Sequence, residues 1–443
     1  MMKRLPLSIA LLFLTLTSLP LAAQDWIKTG TGLGVEKIRI AAPDFRGSVE
    51  AQTIQYDKTF NDVLWSDLEQ AGIFDMVSKS FYPLGQFAQP ADIKPEAWSV
   101  EPPNASMVAF GNIALDAGNV SVQGWLYDVK NPQNAQVLAK QYRETASADN
   151  VRVIAHRFAN EIIFRLGGGV NGITDTHIYF VRHAAGAKEI WKMDYDGYGQ
   201  KAITKFGSIS LSPRVTPDGS RIAFASMYGG GWNILMYSTD LNRSLTFPKF
   251  GGTNLSPAWS SDGMHLAFSS SRAGFPNIYV SDQNGNGLRQ LTNGKGPDVS
   301  PVWNPKTNAQ IAFVSGRTGL PQIYVMDADG TNPQRLTDDG YAVSPSWSPN
   351  GQFLTFAWIR HYGPGAPGAQ DIYIMDVASR QWVQLTHDSG RNDFPSWSPD
   401  GRHVVYQSNK NGSDQIWTML ADGNQQHPLT TSGVNSQPNW GAK

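Results

Sequence analysis

Four sets of residues in this chain have types and spacings that could do chemistry. Gly363-Pro364-Gly365-Ala366-Pro367-Gly368 has the G-x-G-x-x-G spacing of a phosphate-cradling loop. Such a loop must join a strand to a helix and aim free backbone N–H groups at the phosphates. Here two prolines delete donors, and the apolar run Ile372–Met375 that follows reads as a strand. Asp194-Tyr195-Asp196-Gly197 and Asp327-Ala328-Asp329-Gly330 hint at calcium loops but lack the later acidic ligands, so they read as turns. The eight histidines include no H-E-x-x-H and no pair spaced for zinc. His156 falls in a helical pattern and reads as a structural or surface residue. No serine has glycine at both −2 and +2, as a nucleophile elbow requires. Trp259, Trp303, Trp347 and Trp397 could stack on sugars, but tryptophan at one phase of every repeat reads as core between repeats. The expectation is no catalytic residue, no metal and no cofactor.

These residues sit on a repeat running from about Ile173 to Trp440. Each unit has a Pro-x-aromatic-Ser-x-Asp-Gly turn, an apolar strand, an Ile-Tyr-Val-Met-Asp strand and a short Leu-Thr strand. The proline recurs at Pro213, Pro257, Pro301, Pro345, Pro395 and Pro438, in steps of 44, 44, 44, 50 and 43. The second strand centres on Phe180, Phe224, Phe268, Phe313, Phe356 and Tyr406. The third begins at Ile190, Ile234, Ile278, Ile323, Ile372 and Ile416, and the fourth ends at Thr204, Thr246, Thr292, Thr337, Thr386 and Thr430. Four short strands every ~40–45 residues define a propeller blade, so six blades are predicted. The first unit lacks an innermost strand and the last Pro-x-Trp strand lacks a unit, so residues 434–440 are expected to close the first blade. That pairing removes two exposed edges. The fourth step is long because Phe356 to Ile372 spans 16 residues where the other units span 10, a surface insertion at 360–370.

The 443 residues are 16% charged with net charge −1, which gives no electrostatic footprint for nucleic acid or an anionic membrane. Zero cysteines exclude disulfides, thiol nucleophiles and cysteine metal sites. Lys3 and Arg4, the apolar run Leu7–Leu19 and Pro20-Leu21-Ala22-Ala23 read as a secretory signal over residues 1–23, cut before Gln24. Residues 24–34 are glycine-bearing and aperiodic, and are expected to be flexible. Residues 35–168 read as a small α/β domain. Lys37–Pro43 alternates as a strand, and Phe60, Val63, Leu64 and Leu68 recur at helical spacing up to Gly72. Phe74–Val77 is a short strand, and Ser106–Leu115, Asn119–Val129 and Ala135–Arg143 form a meander. Val151, Ile154, Phe158, Ile162 and Leu166 trace a closing helix that Gly167-Gly168-Gly169 ends. Residues 169–443 are the propeller.

Signal, α/β domain and six P-x-[WF]-S-x-D-G / I-Y-V-M-D / Q-x-L-T units, with the opening Val35-Glu36-Lys37-Ile38-Arg39-Ile40-Ala41-Ala42-Pro43-Asp44-Phe45, together resemble the TolB family of the periplasmic Tol–Pal envelope system. The resemblance spans essentially the whole mature chain. It implies a monomeric, non-enzymatic periplasmic adaptor with roles in outer-membrane integrity, cell division and protein import. Its partners would be the peptidoglycan-associated lipoprotein Pal and the TolA C-terminal domain. Contact with the outer membrane would come only through Pal, and nucleic acid is not among the partners. The family's TolA contact is the mature N-terminus, here Gln24, Asp25, Trp26, Ile27, Lys28 and Thr29. Its Pal-facing loops lie between the fourth strand and the next Pro-x-aromatic strand. Here they are Thr253, Asn254, Leu255 and Ser256, and Asp298, Val299 and Ser300, with 341–344 and 391–394 on the same rim. The insertion at 360–370 departs from the family pattern. The competing reading is a periplasmic carbohydrate- or ligand-binding propeller, or the regulatory half of a hydrolase.

Overall fold

The computed structural model describes residues 36–47, 51–359, 369–387 and 390–441. The expected signal over residues 1–23, the 24–34 segment with the residues expected to contact TolA and the core of the 360–370 insertion lie outside the described residues. No described helix is long and apolar enough to cross a membrane.

The N-terminal domain is a five-stranded sheet in the order β2-β1-β3-β4-β5. Its strands are β1 (Ile38–Ala41), β2 (Phe74–Met76), β3 (Met107–Asp116), β4 (Asn119–Asp128) and β5 (Gln136–Thr145). Helices α1 (Ala51–Gln70) and α3 (Ala148–Leu166) bury Phe60, Leu64, Leu68, Ile154, Phe158 and Ile162 against one face. Gly124 lies flat in β4 because a Cβ there would meet the Phe158 ring at 2.7 Å. Residues 78–105, aperiodic in sequence, fold as short turns and the five-residue α2 (Pro95–Ser99), which seats the fully buried Trp98 on the other face. Ser147 caps α3 by accepting a hydrogen bond from the Asn150 amide at 3.1 Å.

Six four-stranded sheets follow. The strand Val434–Gly441 pairs antiparallel with His177–Ala184, Asn435 facing Arg182 and Trp440 facing Ile178, so the chain end closes blade 1 as expected. Each inner strand carries a register shift at its proline, as between Leu255 and Ala258. The preceding residue (Ser212, Ser256, Ser300, Ser344, Phe394 or Gln437) takes φ between 51° and 54°. Proline has no N–H for the ladder, and the bulge removes it from the pairing. The Ser-x-Asp-Gly turn caps itself. The Ser260 hydroxyl donates to Asp262 at 2.5 Å and accepts from the His265 amide at 2.9 Å, while Gly263 supplies φ 70°.

The fourth strands differ from expectation. They are only two or three residues long, and in five blades they stop before the Leu-Thr or Ile-Thr pair, as at Arg289–Gln290, while that of blade 2 runs to Leu245. In five blades the threonine is instead a buried clamp. Its hydroxyl accepts from the amide opening the third strand, as Thr337 does from Ile323 at 2.9 Å. It then donates to the polar side chain just before, as Thr337 does to Gln322 at 2.8 Å. Blade 2 lacks the clamp, and its Thr246 is exposed.

The N-terminal domain rests on the Asp-Gly turns of blades 1 and 6, the two blades on either side of the chain closure. Arg402, fully buried, donates to the Gly167 carbonyl at 3.0 Å, and His403 Nε2 lies 2.7 Å from the Gln70 carbonyl. Behind them, the buried Asp67 of α1 binds His156 Nδ1 at 2.8 Å and accepts from the Tyr195 hydroxyl. Asp196 pairs with Arg152, whose guanidinium lies 4.0 Å over Tyr198. His156 is thus an interdomain residue, buried rather than on the surface. Burial opposes its charge, but the hydrogen bond and charge of Asp67, with Asp196 behind, outweigh it and raise its pKa.

A raised histidine pKa gives stability that is complete below ~6.5 and is lost as pH rises through the folded value. Melting of the wild-type protein should therefore fall from pH 5.5 to 8 more steeply than that of Asp67→Asn. Parallel curves for the two proteins would show that this joint does not titrate.

Candidate functional site

The ring has two chemically different faces. One carries the Asp-Gly turns and the N-terminal domain. There the Asp262 carboxyl is held below its usual range by the Ser260 hydroxyl and the Met264 amide, and Asp218 by Thr216 and Ser220. Asp282 and Asp329 are lowered by their own turn hydrogen bonds, so these aspartates stay ionised. This is also the turn role expected of Asp329, whose Oδ1 accepts from the Thr331 amide at 2.9 Å.

The opposite face is built from the loops between second and third strands and from the starts of the inner strands. Thr253 and Ser271 join the two: the Ser271 amide donates to the Thr253 carbonyl at 3.0 Å, and the Thr253 amide donates to the Ser271 hydroxyl at 2.9 Å. Here the second strands end in cations that lie over the third-strand aromatics. Arg317 is 5.0 Å from the Tyr324 ring, Arg272 5.9 Å from Tyr279, Lys410 4.1 Å from Trp417 and Arg182 4.3 Å from Trp191. Between them protrude Tyr228, Phe275 and Leu320, which are 50%, 62% and 42% exposed. Apolar tips among cations on a rigid support make this face the candidate protein-contact surface.

The seven residues aligned with the Pal-facing loops lie on this cationic face, with Thr253 in a loop and the other six in strands. Asn254, Leu255 and Ser256 belong to the inner strand Asn254–Trp259, and Asp298, Val299 and Ser300 to Asp298–Trp303. Asn254 and Asp298 are fully buried, so a docking partner would meet Thr253, Leu255, Ser256, Val299 and Ser300 instead. Asp298 takes both oxygens to Arg317 Nη2, at 2.9 and 3.1 Å. Asn254 donates to the Gly251 carbonyl at 3.1 Å. On the same rim Asn392 and Asp393 are buried, while Arg391 is exposed. Sequence reasoning missed the cations and apolar tips. Their signal was available, because Tyr228, Arg272, Arg317 and Lys410 all fall four residues after the central aromatic of the second strand.

The tryptophans at the other end of the inner strands are buried between adjacent blades. Trp259 packs with Ala223, Ile234 and Phe268, and Trp397 with Phe353 and Ile372. They present no stacking platform for a sugar. Among the described residues no three His, Asp or Glu side chains form a metal-holding group.

Fold and faces define a two-domain, six-bladed propeller protein with one open recognition face. Residues 165–362 and 338–443 match the TolB beta propeller domain family, and residues 31–135 match the TolB amino-terminal domain. The chain belongs to the TolB family. It is 32% identical over 251 residues to the Tol-Pal system protein TolB of Desulfosudis oleivorans, covering 56% of this chain and 55% of that one. It is 30% identical over 232 residues to the Tol-Pal system protein TolB of Cereibacter sphaeroides, covering 51% and 50%. The chain thus spans about half the length of these curated relatives. The crystal structure of TolB from Acinetobacter baumannii superposes with a TM-score of 0.76 at 25% identity, over 92% of this chain and 98% of that one.

Removing the Arg317 fork would leave the buried Asp298 carboxylate without its cation. Arg317→Ala should cost ~2 kcal/mol in urea unfolding, with Arg317→Lys recovering part of it. A loss within ~0.5 kcal/mol for Arg317→Ala would show that the pair is dispensable.

Proposed function

We propose that this protein is a non-enzymatic periplasmic adaptor of the Tol–Pal envelope system that supports outer-membrane integrity and cell division. It binds Pal on the cationic face and TolA through residues 24–29. The observation that carries this reading is the recognition face itself, an exposed apolar and cationic surface turned away from the N-terminal domain in a TolB-family propeller. Exposed Tyr228, Phe275 and Leu320 supply area for a protein contact, and the surrounding arginines and lysine supply orientation and rate. The TolA contact rests on the family resemblance and on the composition of residues 24–34. A short aperiodic segment can add as a strand to the edge of a partner's sheet. Ordering such a segment on binding keeps the contact weak and reversible. The leader of residues 1–23 supports export, and a monomer that reaches the outer membrane only through Pal fits the same reading.

The test compares residues 24–443 with a version starting at Val35, each titrated with the Pal periplasmic domain and with the TolA C-terminal domain. Loss of TolA binding with Pal binding intact supports both assignments. Failure of both versions to bind either partner would overturn the adaptor reading.

A further inference from the structure

The inner strands place a fixed pair of residues beside the central channel just after each proline. The pair is Ala258-Trp259, Val302-Trp303, Ser346-Trp347, Ser396-Trp397 and Asn439-Trp440 in five blades. In blade 2 it is Arg214-Val215. Valine in place of tryptophan removes most of an indole from the ring, and the adjoining arginine faces the same space. The channel there opens as a cavity of about 400 Å³ lined by Arg214, Ser346, Ser396, Asn439 and the tryptophans.

Arg214 lacks a counter-charge. Aspartate and glutamate are both missing from the residues lining this cavity. Its guanidinium makes one hydrogen bond, to the neighbouring Pro213 carbonyl at 2.9 Å, and has further N–H donors to offer. Burial pushes its pKa down to about 10, with no nearby acidic side chain opposing the shift, so it remains a cation at neutral pH. A partly buried charge without a partner is costly, and a cation beside a low-dielectric channel attracts anions. Further donors share the wall. The Ser396 hydroxyl accepts from the Trp440 amide at 3.0 Å and from Asn439 Nδ2 at 3.4 Å, which leaves its own proton to give away. Ser346 adds a second hydroxyl.

We propose that Arg214 and the Ser346, Ser396 and Asn439 side chains make the central channel a binding site for one small oxyanion, a phosphate or a carboxylate. The volume admits a small ion and excludes a folded partner. The site lies towards the turn face, away from the recognition surface, so it is independent of the proposed docking. An ion held there would tie together the four inner strands that carry Arg214, Ser346, Ser396 and Asn439.

The test is calorimetric titration of the mature protein with sodium phosphate and, separately, sodium acetate, at ionic strength held constant with sodium chloride. Wild-type protein should bind one of the two at a single site. Arg214→Met, which keeps an unbranched apolar stem without the charge, should weaken that binding at least tenfold. Arg214→Lys should retain part of the affinity, and Arg317→Ala, on the other face, all of it. Uptake of phosphate alone or acetate alone would name the oxyanion. If Arg214→Met fails to fold, the lysine variant and a phosphate-dependent rise in wild-type melting temperature carry the test. The proposal is overturned if wild type binds neither ion, or if Arg214→Met or Arg317→Ala gives the opposite result.

Discussion

Closure of the ring is the constraint on which the remaining structure depends. The strand Val434–Gly441 must find His177–Ala184 from the far end of the propeller, and contacts such as Arg182 to Asn435 at 2.8 Å bridge 253 residues of sequence. Until that pairing forms, blade 1 has no inner strand and the tryptophan rows have no continuous stack. Loop-closure entropy is paid before this contact returns anything, so the topology folds late and cooperatively. The N-terminal domain sits across the same junction. It binds blade 1 through Tyr195 and Asp196 and blade 6 through Arg402 and His403. The α/β domain is therefore a clasp over the closure as well as a separate unit.

With the ring closed and clasped on one side, the other side is left open. The turn chemistry fixes which side is which. Each Ser-x-Asp-Gly corner needs its aspartate to cap the turn, so carboxylates gather on the face where inner strands end. Cations follow the second strands to the opposite face, where third-strand aromatics hold them. A repeat that solves its own turns thus gives the two sides of the disk different chemistry, and the side away from the N-terminal domain is the one free to meet a partner. The Arg214 channel lies between these faces and has its own chemistry.

The blade count, the closing strand and the two long helices were legible because they follow from periodicity, which local sequence carries directly. The fourth strands were misjudged because Leu-Thr resembles strand while Thr337 and its counterparts work as side-chain clamps. The seven residues assigned to a docking rim do share one face of the ring, yet Asn254 and Asp298 proved to be buried structural residues. The pleat turns alternate residues of an inner strand in opposite directions, and a loop reading has no means of assigning them. The Asp67–His156–Tyr195 network was not legible at all. Its members lie 89 and 128 residues from Asp67 and share no motif, so only the docked domains bring them together.

Amide hydrogen exchange on the mature protein, with and without the Pal periplasmic domain, tests most directly whether the cationic face is the docking surface. Docking there predicts slower exchange in residues 253–256, 298–300, 271–276 and 316–321, and unchanged exchange in the aspartate turns at 260–263 and 282–286. Protection confined to the aspartate turns or to the N-terminal domain would contradict it.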